Sequence, residues 1–298
     1  MNERVAVIGT GRMGLALGAA LVRSGAAERV VFYGRAMEPP PHPVFDAAAH
    51  RAHEEAEPSV EYRLWPSPLP EGTMTALLAV PDQALPEVTY DLTRVGLAPA
   101  GCVALHLAGA LTTDVLAPLH EAGYSVGSIH PLQAVADPWL AADRLAGVTF
   151  ALAGEPAAIA AGRRIADALG GHTVIVPPAM RPLYHAGAVL ASNGLVAVLA
   201  AAVRVFDEVG IPEGEAVQGL LPLVRGTLDN LENLGVRGAL TGPVARGDVD
   251  TVRLHLNRLS GQERALYCAL GMELLRLSSA AGLDPQRAAE MKALLAGG

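Results

Sequence analysis

Lysine is almost missing from this 298-residue chain: it occurs once, at Lys292, against 21 arginines. A mechanism that needs a lysine has only that near-terminal residue to use, so histidine is the natural acid or base. Cysteine is nearly as scarce. Cys102 and Cys268 stand far apart and in no metal-ligand spacing. That argues against a disulfide framework and makes a reducing, cytoplasmic setting the default. Positive charge is in deficit, with a formal net charge of −8. The deficit argues against nucleic acid or an anionic membrane as a partner, while leaving room for a local basic pocket. No signal-like segment precedes the first apolar run, which begins at residue 4.

What is present is core material. Hydrophobic residues make up 51% and charged residues 17%, so packed cores are expected and disorder is not. The Ala-rich run at 186–203 has the length of a membrane span. It carries Ser192, Asn193 and two glycines, and is expected to be a buried helix of a soluble domain.

Short β-branched runs alternate with helical patterns through the first part of the chain. Strands are expected at 4–8, 29–33, 75–80, 102–109, 125–131, 148–154 and 172–177, with helices at 13–24, 112–122 and 155–169. Residues 38–70 read as variable loop with a short helix around 45–56. Strand–helix alternation implies a doubly wound, mostly parallel α/β sheet covered on both faces. From 183 onward only helical patterns occur, broken at Gly210-Ile211-Pro212, Gly238, Gly242-Pro243 and Gly282. The cluster Pro177, Pro178, Pro182 marks the boundary: a Rossmann-type domain over 1–178, then an all-α domain over 179–298.

The first strand runs into Gly9-Thr10-Gly11-Arg12-Met13-Gly14 and then a helix. Strand, glycine loop and helix in that order form a dinucleotide-binding signature. Gly9 permits the tight turn, Gly11 lets backbone approach a pyrophosphate, and Gly14 lets helix and sheet pack closely. The helix N-terminus supplies unpaired N–H groups for phosphate. An NAD site would carry an acidic residue at the end of the second strand. Here Tyr33-Gly34-Arg35 stands there instead: Gly34 makes room, and Arg35 offers a forked donor to a 2′-phosphate. NADP, as NADPH, is therefore the expected cofactor, with Arg12 a possible second phosphate contact. Val80 and Pro81 end a strand on the nicotinamide side, because ligands gather at strand carboxyl ends.

His106 and His130 also fall at carboxyl ends of expected strands, each beside Gly, Ala or Pro; Ser128 and Gln133 could add hydrogen bonds. His106 is placed with the cofactor and Ser128 with the substrate. No carboxylate stands at metal-ligand spacing to these histidines, so no metal is expected. Farther on, "LYHAGAVLASN" carries Tyr184, His185, Ser192 and Asn193. On one continuous helix His185 and Ser192 share a face about 10 Å apart, flanked by Tyr184 and Asn193. That separation excludes a serine-hydrolase pair and suits the wall of an elongated groove.

"VAVIGTGRMG", "LHLAGAL", "GSIHPLQ", "LYHAGAVLASN" and "LTGPVARGD", in that order, resemble the two-domain oxidoreductases that pair a Rossmann-like domain with domain of unknown function 2520. The resemblance spans nearly the whole chain, and its last three motifs together are specific. The architecture is similar to pyrroline-5-carboxylate reductase, prephenate dehydrogenase and ketopantoate reductase, which implies an all-helical second domain that closes over the nicotinamide and forms a homodimer. Hydroxyacid dehydrogenases of that architecture use a lysine and an asparagine on the first interdomain helix. Here Asn193 is available but no lysine, leaving His185 as the candidate proton donor and His130 as the alternative. "LTGPVARGD" supplies Thr241 and Arg246 for an anionic substrate group.

The expectation is therefore an NADPH-dependent reductase of a small carboxylated 2-oxo acid, ketopantoate first, or of an imine. His185, Asn193, Ser192 and His130 would serve catalysis; Ser128, Tyr184, Thr241 and Arg246 would contact substrate. The alternative is an NADP-binding sensor without turnover, which needs only the Gly9–Gly14 loop and Arg35.

Overall fold

A strand whose two faces are both apolar requires cover on both sides, and β1 (Glu3–Ile8) is such a strand. The structure, a computed structural model, describes residues 3–46 and 60–297. Val5 and Val7 pack into one core with Leu17, Phe32 and Ile165, while Ala6 and Ile8 pack into a second with Tyr33, Leu85 and Leu119. The sheet between these cores has eight strands in the order β3-β2-β1-β4-β5-β6-β7-β8. Its remaining members are β2 (Ala27–Gly34), β3 (Val60–Leu64), β4 (Thr75–Leu78), β5 (Val103–His106), β6 (Ser125–Pro131), β7 (Thr149–Gly154) and β8 (His172–Ile175). Every pairing is parallel except that of β6 with β7. The doubly wound α/β sheet is present, and strand order reverses between β1 and β4, which opens a crevice at their carboxyl ends.

Helices α1 (Arg12–Arg23), α2 (Leu85–Val95), α3 (Ala117–Glu121), α4 (Pro138–Arg144) and α5 (Pro156–Ala168) cover the sheet. β3 lies inside the stretch expected to be loop. Its sequence Val-Glu-Tyr-Arg-Leu hides the strand because charges fill alternate positions. Those charges pair on the sheet edge: Glu61 accepts from Arg29 and from Arg63, each at 2.5 Å. Charged edge strands of this kind resist pairing with other chains. Residues 43–46 are helical; the rest of the helix expected around 45–56 lies outside the described residues. α2 and α4 were not expected.

The chain divides into two compact units, residues 1–192 and 193–298. The helix after the proline cluster, α6 (Arg181–Ala191), belongs to the first unit. The second unit consists of α7 (Asn193–Glu208), α8 (Glu213–Gly238), α9 (Gly242–Arg246), α10 (Val249–Leu256), α11 (Gly261–Ala280) and α12 (Pro285–Ala296). No strand occurs among its described residues. Val244, Val252, Leu256, Cys268, Leu275, Met291 and Leu295 form its core.

The expectation of one buried helix over 186–203 is corrected. The run is broken at Ser192 into α6 and α7. The stretch Pro178–Glu208 has a window of mean hydropathy 2.0, apolar and long enough to cross a membrane by length and composition, yet only 6% of that window is buried. Leu183, Leu190 and Val196 are each about 70% exposed.

Candidate active site

β1 ends at Ile8, and the chain must turn sharply to enter α1. Gly9 makes the turn at φ 109°, a backbone state that costs glycine nothing and other residues a good deal. Its N–H donates to the Tyr33 carbonyl at 2.9 Å. At Gly14 a Cβ would strike the Gly9 carbonyl and lie 3.0 Å from Ala79 Cβ, so α1 meets the turn on bare backbone. A Cβ at Gly11 would have no atom within 4 Å. The turn borders a cleft of about 360 Å³, lined by Gly9, Thr10, Gly11, Gly34, Arg35, Val80 and Pro81, with Tyr33 and Trp65 behind them. Gly11, at the N-cap of α1, offers no side-chain cap, so the first-turn N–H groups remain for a ligand oxyanion. A glycine cradle, an uncapped helix N-terminus and an apolar flank at Val80-Pro81 together fit a dinucleotide. Arg12 is exposed and Met13 half-buried beside this cleft, and Gly14 is buried beneath it.

Arg35 stands at the cleft edge, where the sequence places it, with a neighbour that the sequence reading missed. Its Nη2 lies 3.5 Å from Oε2 of Glu87, and both side chains are about two-thirds exposed. Glu87 sits in the first turn of α2, where the helix N-terminus favours an anion. A 2′-phosphate at Arg35 would therefore meet a carboxylate already there.

The second concentration of polar groups gathers around β5, β6 and α6. His130, on β6, has Nδ1 2.9 Å from the Tyr184 hydroxyl. The His130 and His185 rings stand nearly perpendicular with centroids 5.7 Å apart. Both imidazoles crowd Gly109, where a Cβ would lie 2.9 Å from His130 Nε2 and would strike the His185 ring. Glycine at 109 thus lets the turn after β5 lie against two histidines. Under this group is Arg181, a fully buried side chain that donates from Nε to the Leu111 carbonyl at 2.6 Å and from Nη2 to the Ala108 carbonyl at 2.5 Å. Sequence reading passed over Arg181 and Gly109. The available signal for Arg181 was a lone cation heading an apolar helix directly before Tyr184 and His185.

Burial sets the protonation states here. It pushes His130 down to about 4, with His185 and the Arg181 cation adding to the effect. His106 is likewise pushed down to about 4, first by burial and then by Arg181, against an opposing Thr112 backbone contact. Burial raises Tyr184, partly offset by Arg181. At neutral pH His106 and His130 are therefore neutral and Tyr184 is a protonated phenol, beside the Arg181 cation. His106 and Ser128 are register partners on β5 and β6 and are almost wholly buried, behind the surface rather than on it. Ser128 Oγ has no hydrogen-bond partner.

Of the other expected site residues, Ser192 lies in the first unit and Asn193, Thr241 and Arg246 lie in the second. Ser192 ends α6 and donates back to the Ala188 carbonyl at 3.0 Å. Asn193 opens α7 in the second unit and is exposed. Thr241 precedes α9, and Arg246 ends it. Within the second unit Arg246, Arg237 and Arg287 line a cleft of about 440 Å³ with Asp284.

Comparison with known proteins places this geometry. The Rossmann-like domain family matches residues 2–131, and the domain of unknown function DUF2520 matches residues 148–274. This chain joins a Rossmann-like domain to DUF2520. Among solved structures, protein TM1727 from Thermotoga maritima is similar over 93% of this chain and 99% of its own, at 23% identity and TM-score 0.68. Plasmodium falciparum pyrroline carboxylate reductase with NADP bound covers 98% of each chain at 12% identity and TM-score 0.59. A reductive aminase from Aspergillus terreus, in complex with NADPH and ethyl levulinate, covers all of this chain and 93% of its own at 14% identity and TM-score 0.55. No curated protein sequence matches. At these identities the Rossmann-like/DUF2520 chain shares the fold with those proteins.

The two depressed histidines make stability depend on acid. Their folded values lie near 4, against about 6.5 unfolded. Their contribution is complete above pH 6.5 and is lost as pH falls toward 4, by up to about 3 kcal/mol each. Urea unfolding at pH 7 and pH 4.5 should show this loss, and H106Q/H130Q should show a markedly smaller one.

Proposed function

We propose that this protein is an NADPH-preferring oxidoreductase that reduces a small carboxylated 2-oxo acid of the ketopantoate type, or an imine. The observation that carries the reading is the pairing, in one compact unit, of a dinucleotide cradle with the His130–Tyr184–His185 group beside the turn after β5. The similar folds include a pyrroline carboxylate reductase with NADP and a reductive aminase with NADPH, which supports a nicotinamide cofactor and keeps the imine beside the oxo acid.

Bound NADPH supplies a hydride. The chain's part is to hold that cofactor, orient the substrate and deliver a proton. Gly9–Gly14 and the start of α1 receive the pyrophosphate, Arg35 the 2′-phosphate, and Val80-Pro81 the nicotinamide flank. His185 donates the proton that converts C=O to alcohol or C=N to amine; the alternative donor, His130, is held neutral at neutral pH and acts only in its rarer protonated form. Ser192, Asn193 and Tyr184 are assigned to the substrate; Ser128, buried behind the surface, is not. Thr241 and Arg246, in the second unit, are the proposed carboxylate partners, with Arg237, Arg287 and Asp284 beside Arg246 in a cleft of that unit. The exposed apolar residues of α7 and α8, including Val196, Leu223, Leu228, Leu234 and Val236, support a homodimer through the helical unit. Free, buried Cys102 and Cys268 suit the cytoplasm.

The function is tested by NADPH oxidation with a panel led by ketopantoate and cyclic imines. Turnover of one compound supports the reductase. Saturable NADPH binding with no turnover across the panel favours the sensor.

His185→Gln should lower kcat by about 100-fold, the usual weight of a general acid, with NADPH affinity unchanged; unchanged turnover would move the donor to His130. Arg35→Ala should weaken NADPH far more than NADH, and Glu87→Gln should tighten NADPH severalfold without altering NADH, both read by calorimetry. Equal effects on the two cofactors would remove the 2′-phosphate role. Sedimentation should find a dimer that L223E/L234E converts to monomer.

A further inference from the structure

Arg181 has no part in the reaction just described, yet among the described residues it is the largest fully buried side chain. Burying a guanidinium is costly unless its donors are used. Nε and Nη2 are used, on the carbonyls of Leu111 and Ala108, while Nη1 is buried with no partner. The two accepting carbonyls bracket Gly109, the residue against which His130 and His185 pack. Arg181 also opens the helix that carries Tyr184 and His185. One planar fork therefore ties the turn after β5 to the helix bearing the site's acid groups.

We propose that Arg181 is a positioning residue: its guanidinium clamps the Ala108–Leu111 turn so that Gly109 lies against His130 and His185 while Tyr184 meets His130. Its fixed cation then acts on the same groups. The charged and titratable neighbours are Asp82 after β4, His106 on β5, His130 on β6 and Tyr184 on α6, with His185 facing His130. Asp82 follows Pro81 at the cofactor cleft. Its attraction and that of Tyr184 favour the charged guanidinium against burial, and an arginine remains a cation in a protein. That cation disfavours a second positive charge on either imidazole and favours a neutral, hydrogen-bonded His130–Tyr184 pair. The kinetic consequence rests on the reductase reading; the structural consequence does not.

The test uses Arg181→Lys and Arg181→Met in the full chain. Histidine ring NMR should give native midpoints of about 4 for His106 and His130. In Arg181→Met both midpoints should rise, because burial remains and the cation is gone. Arg181→Lys should keep both midpoints low. A single ammonium cannot reproduce the planar fork, so the carbonyl-carbon NMR shifts of Ala108 and Leu111, the two acceptors of the fork, should move in Arg181→Lys while those of β1 and β4 stay in place. In turnover, Arg181→Lys should lower kcat and leave NADPH affinity intact. If Arg181→Met does not fold, Arg181→Lys alone decides the clamp. Unmoved Ala108 and Leu111 carbonyl shifts in Arg181→Lys, or changes shared by the whole sheet, would overturn it; so would unmoved midpoints in a folded Arg181→Met. The titration and carbonyl-shift arms read out even when the panel yields no substrate.

Discussion

The contact that the rest of the first unit depends on is backbone against backbone, where α1 meets the sheet. Gly14 lies on the Gly9 carbonyl and Ala79, and Gly9 turns beside Ala79 and Val80. Any side chain at either position would lift the helix from the carboxyl ends of β1 and β4. Lifting it would close or misdirect the cleft between Thr10, Arg35 and Pro81. The same close approach aims the uncapped N-terminus of α1 at the place where a diphosphate belongs. Packing and binding are one requirement here, which is why the glycines carry so much information.

A second constraint is electrostatic. The polar groups around Gly109 are arranged beside one buried cation, Arg181. Burial and Arg181 hold His106 and His130 neutral, so at neutral pH His130 can exchange a hydrogen bond with Tyr184 without carrying charge. Such an arrangement keeps two imidazoles uncharged in the interior. It is also costly to keep, which explains the expected sensitivity of the fold to acid.

Much of this was legible in the sequence, and what was missed has physical reasons. The Gly9–Gly14 signature is local: strand, turn and helix adjoin, so their order alone implies the cradle. The doubly wound sheet follows from repeated short apolar strands with helices between them. β3 escaped because Glu61 and Arg63 interrupt its apolar pattern, and their pairing with Arg29 appears only once β2 and β3 are neighbours. The long apolar run after the prolines reads as buried because hydropathy does not tell cover within a chain from cover by another molecule. His130, Tyr184 and His185 could each be singled out, but their meeting over Gly109 joins β6, α6 and the turn after β5, and no spacing rule contains that. Arg181 was overlooked because an arginine at a helix start is usually a solvated charge; only the structure shows it buried.

The central claim is that the Gly9–Gly14 turn receives the cofactor's diphosphate, and Gly11 allows it to be tested without disturbing the fold. A Cβ there would meet nothing within 4 Å, and aspartate is a favourable residue at a helix N-cap. The measurement is the NADPH affinity of native protein and of Gly11→Asp by calorimetry, with thermal unfolding of both. The account predicts saturable binding to native protein, loss of more than about tenfold in the variant as its carboxylate occupies the anion site, and an unfolding temperature no lower than native. Equal NADPH affinity in the two proteins, or no binding to native protein, would contradict it.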